Sequence, residues 1–599
     1  MQYGVQRSMN HKRKLSYRDA FGYLLIGLSV ILLGKSLMLC FSNDIWYDEL
    51  FTVGMIEHSY GDLIAFTARD VHPPLYYCIV KFAVELCKLI SPMADTVIIA
   101  KIVSVLPYLI LLLYSVTLIR KRFGIFTGGL FLFCLITMPQ LSAYTVEVRM
   151  YSWALLFVTA ALLHAYEIII SAYGEVSAVD SGFGDSASED DNNTLKSAPG
   201  FRTRGHAAAL VLYGLAAAYT HYFACVAVIM VYLYVLAAFL INDREKIKRW
   251  FLWVAVSIVG YTPWLYVLYG QITAVNENYW ILPLSWRSLG GCVKFLLKPA
   301  FANNVLSTVL AVVMFLVYSC VYALNCVKLY HNGREKDKNT DIKHSTNDAD
   351  NHNYHEYSLK HWNDFMFMTA GIGVLAGLVL FGFVASAVLR PIFVYRYMIP
   401  ALGCFWLSFA AGLGKLSENT AKRPTAVFLS VKRKIITETI HADGIYKGIT
   451  AAIFVFVLLI GLRGYRAFTE EEENKIFRMD DTSAAFQEIS PGDILVFNFD
   501  QIQMVAGYYV KNDSYLWYGQ PEVLIQDICG HKGVLNEDTS KIKEWLSQGR
   551  EVWFIGSFNS REDIVEGWEN EGLHAELTWT PGYLLERYWF NLYKLSLAG

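Results

Sequence analysis

Apolar runs of roughly 17–25 residues recur along the chain, each bounded by charged or turn-forming residues, and such runs predict membrane-crossing helices. They fall near 21–41, 97–119, 124–141, 150–172, 207–221, 223–241, 250–269, 306–330, 366–389, 398–416 and 448–464, about eleven spans by this reading. The stretch 207–241 reads equally well as one long hairpin. Residues 465–599 change pattern: "GDILVF" and "EVWFIGS" read as strands, "TSKIKEWLSQGR" and "REDIVEGWENEG" as helices. That alternation predicts a small α/β domain. It holds no GxGxxG and no P-loop, so nucleotide binding is not assigned to it.

One more periodic segment lies in the long connection 42–96. Leu75, Ile79, Phe82, Leu86 and Leu89 recur at spacings of four and three, with Lys81, Glu85 and Lys88 on another face. The pattern predicts a helix lying along the membrane surface with its apolar side down. Pro73-Pro74 forces an extended backbone at His72, and Pro74 suits the helix start.

Charge orients the spans. With the N-terminus (1–20) in the cytoplasm, "RKR" at 120–122, "REKIKR" at 244–249, the tract 331–364 and "VKRK" at 431–434 all fall inside. The opposite connections carry single cations such as Arg149 and Arg396. This is the positive-inside distribution, and an odd span count then places the C-terminal domain outside the cytoplasm. The loops 173–206 and 331–365 are polar, poor in apolar residues, and read as mobile cytoplasmic insertions.

Composition sharpens the class. Across 599 residues the chain is 55% hydrophobic and 17% charged, with a mean hydropathy of +0.34, a profile of an integral membrane protein rather than a soluble one. The net charge of −2 means little when charges are sorted by membrane side, and nothing points to a nucleic-acid partner. Ten cysteines show no CxxC pair, and Cys134, Cys225, Cys320, Cys326 and Cys404 sit in apolar runs as packing residues. Cys78 and Cys87 share one loop, but nothing requires them to pair. The basic "HKRKLSYRDA" precedes a span too long for a typical cleaved signal and without a small-residue cleavage site, so the first span reads as a retained anchor.

Candidate chemistry gathers at the outer ends of the spans. "WYDELFT" presents Asp48 and Glu49 between aromatics; one carboxylate fits a general base while the other hydrogen-bonds structure or a cation, and helix capping is the plainer alternative for the pair. "ARDVHPPLYY" projects Asp70 and His72 from a stiff segment. In "YTVEVRMYSW", an extended strand would put Glu147, Arg149 and Tyr151 on one side. Arg149 then fits either a pair with Glu147 or a fork for a phosphate. His221 in "YTHY" reads as an interfacial histidine, or with Glu147 as a divalent-ion ligand; no cofactor is certain. Arg396 and Tyr397 in "YRYMIP" stand at the start of a late span, and Arg390 nearby reads as a snorkelling cation. Lys35 and Lys101, near the outer ends of their spans, read the same way.

In these motifs, taken in order, the sequence resembles the GT-C class of membrane glycosyltransferases, in particular the glycosyltransferase family 39-like proteins related to protein O-mannosyltransferases and the lipid A aminoarabinose transferase. The resemblance covers residues 15–465 in architecture and is motif-specific mainly over 40–155. It implies an α-helical polytopic fold of about eleven spans, with interfacial helices in loop 42–96 and a catalytic domain over 21–464. It also implies a multi-pass plasma-membrane enzyme of the cell envelope, a hexosyl- or pentosyltransferase. Such an enzyme takes its sugar from a polyprenyl-phosphate donor amid membrane lipids and passes it, with inversion, to a glycan, lipid or protein acceptor. Asp48 is then the base, and Glu147 corresponds to the second acidic motif, present as one acid rather than two. Displacing a phosphate from an anomeric carbon needs cations on the leaving group; Arg149 and Arg396 suit that task, with His72 beside them. The competing reading is a transporter or lipid flippase without glycosyl transfer, for which midplane polar groups or repeated halves are expected and not found.

Overall fold

The computed structural model describes residues 16–42, 44–180, 199–274, 281–301, 303–340, 348–417, 432–519, 532–557, 560–584 and 589–598. Every one of the apolar runs read from the sequence is helical. Nine helices among the described residues are long and apolar enough to cross a membrane, and Ile125–Thr137 is a shorter apolar helix. The chain is a multi-pass membrane protein. Several helices outrun the apolar stretches that announced them: Tyr151–Asp180, Asn304–Thr340 and Asp348–Val388 carry their helical backbone into the polar tracts. Those tracts had read as mobile insertions. Charged and amide side chains do not interrupt a helix that water can reach, so hydropathy underestimates such lengths. The middles of the two tracts, 181–198 and 341–347, lie outside the described residues.

Helix Ile399–Leu416 forms the axis of the bundle, buried along its length against Tyr151–Asp180 and Asp348–Val388. Close approach depends on missing side chains: a Cβ on Gly403 would fall 1.9 Å from Thr159 Oγ1, and one on Gly371 would fall 2.5 Å from Cys404 O. Small residues at such crossings let helices pack through dispersion where lipid offers no hydrophobic drive. The helix Thr96–Tyr114 passes through a π-turn, Ser115–Ile119, and ends at Phe123. Gly124, at φ 89°, then turns the chain into Ile125–Thr137, a backbone angle that favours glycine.

The segment Leu75–Ile90 is helical as its periodicity predicts, and only Lys81 departs from the faces expected. Phe82, Leu86, Leu89 and Ile90 are exposed, forming an apolar stripe free to meet lipid. Lys81 is buried rather than wetted: its ammonium donates to Ile56 O at 3.2 Å and pairs with Glu85 at 2.8 Å. Two shorter helices, Tyr47–Glu57 and Tyr60–Arg69, precede it. All described cysteines, Cys78 and Cys87 included, are free.

The last membrane-crossing helix, Lys432–Ala485, runs 54 residues without a break. The change of character at 465 is therefore its polar continuation, and the sheet begins only at Ile494. Six strands follow among the described residues: β1 (Ile494–Phe497), β2 (Asp513–Leu516), β3 (Gly533–Val534), β4 (Val552–Ser557), β5 (Leu573–Trp579) and β6 (Phe590–Leu597), in spatial order β3-β2-β1-β4-β6-β5. The β3-β2-β1-β4 half is parallel; β6 runs antiparallel to β4 and to β5. Strands β1 and β4 are buried at every position, as parallel strands covered on both faces must be. One face packs on Ser540–Ser547 and the helix ending at Asn570 through Ile542 and Trp568. The other face joins Asp500–Val510 and the helix Tyr47–Glu57, so Leu495, Phe497, Ile502 and Val505 share one cluster with Ile45, Leu50 and Val53.

At the end of the bundle away from that domain, Arg122 grips Glu167 through Nε and through Nη2, the latter at 2.5 Å. Glu167 is 2% exposed. Removing one partner of a buried ion pair strands the other charge, at about 3–5 kcal/mol. Arg122→Met is therefore expected to destabilise the protein by that order in detergent unfolding, and adding Glu167→Gln should recover most of the loss. Equal stability of Arg122→Met and wild type would contradict the pairing.

Candidate active site

The motif "WYDELFT" becomes the first turn and a half of helix Tyr47–Glu57. Adjacent residues on a helix point about 100° apart, and this splits the two acids. Glu49 turns into the protein, 5% exposed. Its Oε1 accepts from Val148 N–H at 2.7 Å and its Oε2 from Trp46 N–H at 3.2 Å. It caps its own helix and ties that helix to the loop before Tyr151; Thr52 Oγ1 adds a bond to Val148 O at 3.1 Å. Asp48 turns the other way. Its Oδ2 accepts from Arg396 Nη1 at 2.7 Å, while Arg149 Nη1 donates to Asp48 backbone O at 2.8 Å.

Residues 147–149 are not extended. Arg149 N–H donates to Glu147 O at 2.8 Å, a tight turn that breaks the alternation expected from sequence. Glu147 and Arg149 therefore serve different surroundings. Arg149, 4% exposed, joins Asp48, Tyr77 and Tyr151. Glu147 lines a separate polar cavity of about 180 Å³ with Glu49, Lys101 and Lys475.

The electrostatics follow the burial. Burial by itself raises the Asp48 carboxyl, but Arg149 and Arg396, with His72 behind them, outweigh it and hold the group below its ordinary value. Asp48 is thus a carboxylate at neutral pH. Burial pushes Glu49 up to about 7, against the pull of Lys101 and of its two N–H donors. Glu147 goes up to about 8, through burial and the neighbouring Glu49 charge. Burial drives His221 well below its usual range, helped by His72, Arg149 and Arg396. The His221 ring is neutral, and because its Nδ1 accepts from Phe223 N–H at 3.1 Å, its proton sits on Nε2.

The remaining candidates frame a second, larger cavity. His72 Nδ1 lies 2.9 Å from Asp70 Oδ2, and Gln271 Nε2 fastens the same loop by donating to Thr67 O at 3.0 Å and to Asp70 O. His221 is enclosed by rings: Tyr397 at 5.0 Å, Tyr151 at 5.5 Å and His72 at 5.9 Å between centroids. His72, His221, Tyr397 and Arg390 edge a cavity of about 850 Å³ whose walls include Val226, Ile229, Leu233 and Ile258. Four buried polar atoms beside Asp48 have no protein partner among the described residues: Tyr77 Oη, Tyr151 Oη, Arg149 Nε and Arg396 Nε. Native interiors pair such groups, so these four donors are the groups at the site still able to bond an acceptor.

The structure thus brings Asp48, Arg149, Tyr151, Arg396, Tyr397, His72 and His221 together, with Asp70 one bond behind His72. It separates Glu49 and Glu147 from them. The divalent-ion pairing of Glu147 with His221 does not form, since the two line different cavities. No group of three or more His, Cys, Asp or Glu suited to a metal occurs among the described residues. Two participants escaped the sequence reading. Tyr77 stood inside the "DVHPPLYY" motif, and its helical phase, opposite the exposed Phe82 stripe, was the available signal. Lys101 is not a snorkelling residue: it is 3% exposed and bonded to Asp44 at 2.7 Å. Lys35, half exposed and 3.6 Å from Glu473, fits the snorkelling expectation better.

A helical membrane bundle topped by a sheet domain, with its acids, histidines and arginines gathered between them, is the GT-C-like architecture that the motifs resemble. Solved structures share the fold. ArnT from Cupriavidus metallidurans in the apo state aligns at TM-score 0.52 and 13% identity, covering 97% of this chain and 98% of that one. ArnT from the same organism bound to undecaprenyl phosphate aligns at TM-score 0.51 and 10% identity, covering 96% and 98%. No protein-family model matches the chain, and no curated protein matches it by sequence.

Raised carboxyl pKa values have a stability consequence. Glu49 and Glu147 are easier to protonate folded than unfolded, so their contribution is complete below the ordinary value near 4.5 and is lost as pH rises through about 7 and about 8. The apparent Tm of the purified protein should therefore fall between pH 5 and 9, and less steeply for Glu147→Gln. Parallel slopes in the two proteins would rule out a raised carboxyl at the half-buried Glu147.

Proposed function

We propose that this protein transfers a sugar from a polyprenyl-phosphate donor to an acceptor at the non-cytoplasmic face of the membrane, with Asp48 as the general base. The observation that carries the reading is the Asp48 cluster: an ionised carboxylate between two arginines and two partnerless tyrosine hydroxyls, joined through Tyr151 and the His221 ring to the His72 and Tyr397 edge of an apolar cavity among the helices. A fold shared with a protein crystallised with undecaprenyl phosphate supports the lipid-phosphate donor.

The acceptor hydroxyl gives its proton to Asp48 while its oxygen attacks the anomeric carbon. The bond from that carbon to the phosphate oxygen breaks, and the electron pair leaves on the polyprenyl phosphate. Arg149 and Arg396 meet the charge developing there, and the Tyr77 and Tyr151 hydroxyls donate to the same oxygens. A preorganised set of donors is worth most where water is excluded, and all four side chains have buried atoms to offer. In-line displacement inverts the anomeric configuration. The neutral His221 adds no charge and, with Tyr397, walls the site against the isoprenoid slot. The apolar cavity of about 850 Å³ takes the first units of the lipid, for which dry, greasy walls are the matching surface.

Asp48→Asn keeps the shape and removes the proton acceptor. It is expected to lower kcat about 10²- to 10⁴-fold with donor affinity retained; undiminished transfer by the purified variant would remove Asp48 from the role of base. Presented with polyprenyl-phosphate and nucleotide sugars in parallel, the protein should turn over only the former. Turnover of a nucleotide sugar alone would overturn the donor assignment. Arg396→Met should raise the KM for the lipid donor as well as lower kcat, because it touches both Asp48 and the phosphate site.

A further inference from the structure

The helix Thr96–Phe123 holds both arms of the candidate site on one face. Val97, Lys101 and Ser104 stand one turn apart, at spacings of four and three. Val97 packs in the cluster containing Ile45, Leu50 and Val53. Ser104 Oγ donates to Glu147 O at 2.7 Å, fixing the loop that carries Arg149. Lys101 lies between them and spends its donors on the chain entering the Asp48 helix: Asp44 Oδ1 at 2.7 Å, Ser42 Oγ at 3.0 Å and Ser42 O at 3.3 Å. Ser42 Oγ also donates to Asp44 Oδ1 at 2.5 Å. Asp44 is itself buried, at 8% exposure, four residues before Asp48.

Lys101 also has a second path to the site. Among the cations acting on Glu49 it has the largest influence, and Glu49 holds the N–H of Val148, the neighbour of Arg149. Hydrogen bonds to an ionised carboxylate are roughly twice as strong as neutral ones, so the charge of Lys101 sets how firmly that tie is made. The other groups facing Glu49 are Asp44 and Cys40 before its helix, Tyr76 on Leu75–Ile90, Tyr509 on Asp500–Val510, Glu147 from the loop, and the Glu472–Lys475 pair, 2.5 Å apart, on Lys432–Ala485. Arg478 and Glu471, 3.6 Å apart, close the rim. The polar cavity they enclose gives Glu49 a route to exchange protons with water.

We infer that Lys101 is a positioning residue for the transfer reaction, a buried cation that aims Asp48 through Ser42 and Asp44 and Arg149 through Glu49. The inference rests on the reading of Asp48 as base, and it adds a residue that touches neither donor nor acceptor. Its signature is a pH dependence. In wild type, Glu49 ionises near 7, and transfer falls below that pH as the tie to Val148 weakens. Without the Lys101 charge, Glu49 holds its proton to higher pH.

The test compares Lys101→Met, Lys101→Arg and Glu49→Gln in sugar transfer from a polyprenyl-phosphate donor, over pH 5.5–9.5, alongside amide exchange at Trp46 and Val148. Lys101→Met is expected to lose at least tenfold in kcat at pH 7, with donor KM within threefold of wild type, and to show its acid limb displaced upward by about one pH unit. Lys101→Arg should restore the limb toward its original position. Glu49→Gln should lack that limb, and Lys101→Met placed upon it should lower kcat further through Ser42 and Asp44 without creating or shifting a limb. Exchange at Val148 should quicken in Lys101→Met even if that variant turns over too slowly to assay. An unchanged kcat and limb in Lys101→Met, or a shift that persists in the Glu49→Gln background, would overturn the inference. If Asp48→Asn is inactive while Lys101→Met behaves as wild type, only this inference fails; if Asp48→Asn is active, the base assignment fails on its own.

Discussion

A carboxylate beside hydrocarbon survives as an anion only if cations are held against it, and those cations must come from elsewhere in the chain. Asp48 meets that condition through Arg149 and Arg396, the second lying 348 residues away in sequence. This constraint explains the arrangement around it. The arginines need buried, rigid supports; the supports need helices that reach the same end of the bundle; and the helix bearing Asp48 needs an anchor on either side. Glu49 provides one anchor, Lys101 with Asp44 another, and the sheet domain covers the remaining apolar face through Leu50 and Val53.

The pair Asp48-Glu49 illustrates how helix geometry divides labour. From sequence the two acids were candidates for catalysis, with capping the plainer reading. Once they sit in the first turn of a helix, both readings hold, one for each residue. Glu49 caps, as an acid three positions after a helix start often does, and Asp48 faces the arginines. A similar division separates Glu147 from Arg149, because two residues in a tight turn look into different cavities.

Much of the fold was legible because its signal is local. A bilayer demands long apolar helices, and a two-sided sheet demands continuous apolar strands, so both classes announced themselves in composition and period. Convergence of Asp48, Arg149, His72, His221 and Arg396 was also readable, since charges gathered at one end of the spans. The rest was not local. Whether Lys101 snorkels or is buried depends on Asp44 and Ser42 folding back over it. The turn at 147–149 depends on Ser104 and Glu49 pulling from two sides. Helix ends in polar segments escaped because hydropathy measures what lipid wants, not where backbone hydrogen bonding stops.

The unbroken last membrane-crossing helix has a mechanical consequence. At 54 residues it is about 80 Å long, more than twice the hydrocarbon thickness of a bilayer at about 30 Å. A rod of that length works as a lever: pivoting by about 5° near one tip swings the other by about 7 Å. The polar turns that precede the apolar stretch and the sheet domain that follows it are therefore joined by one continuous helical backbone.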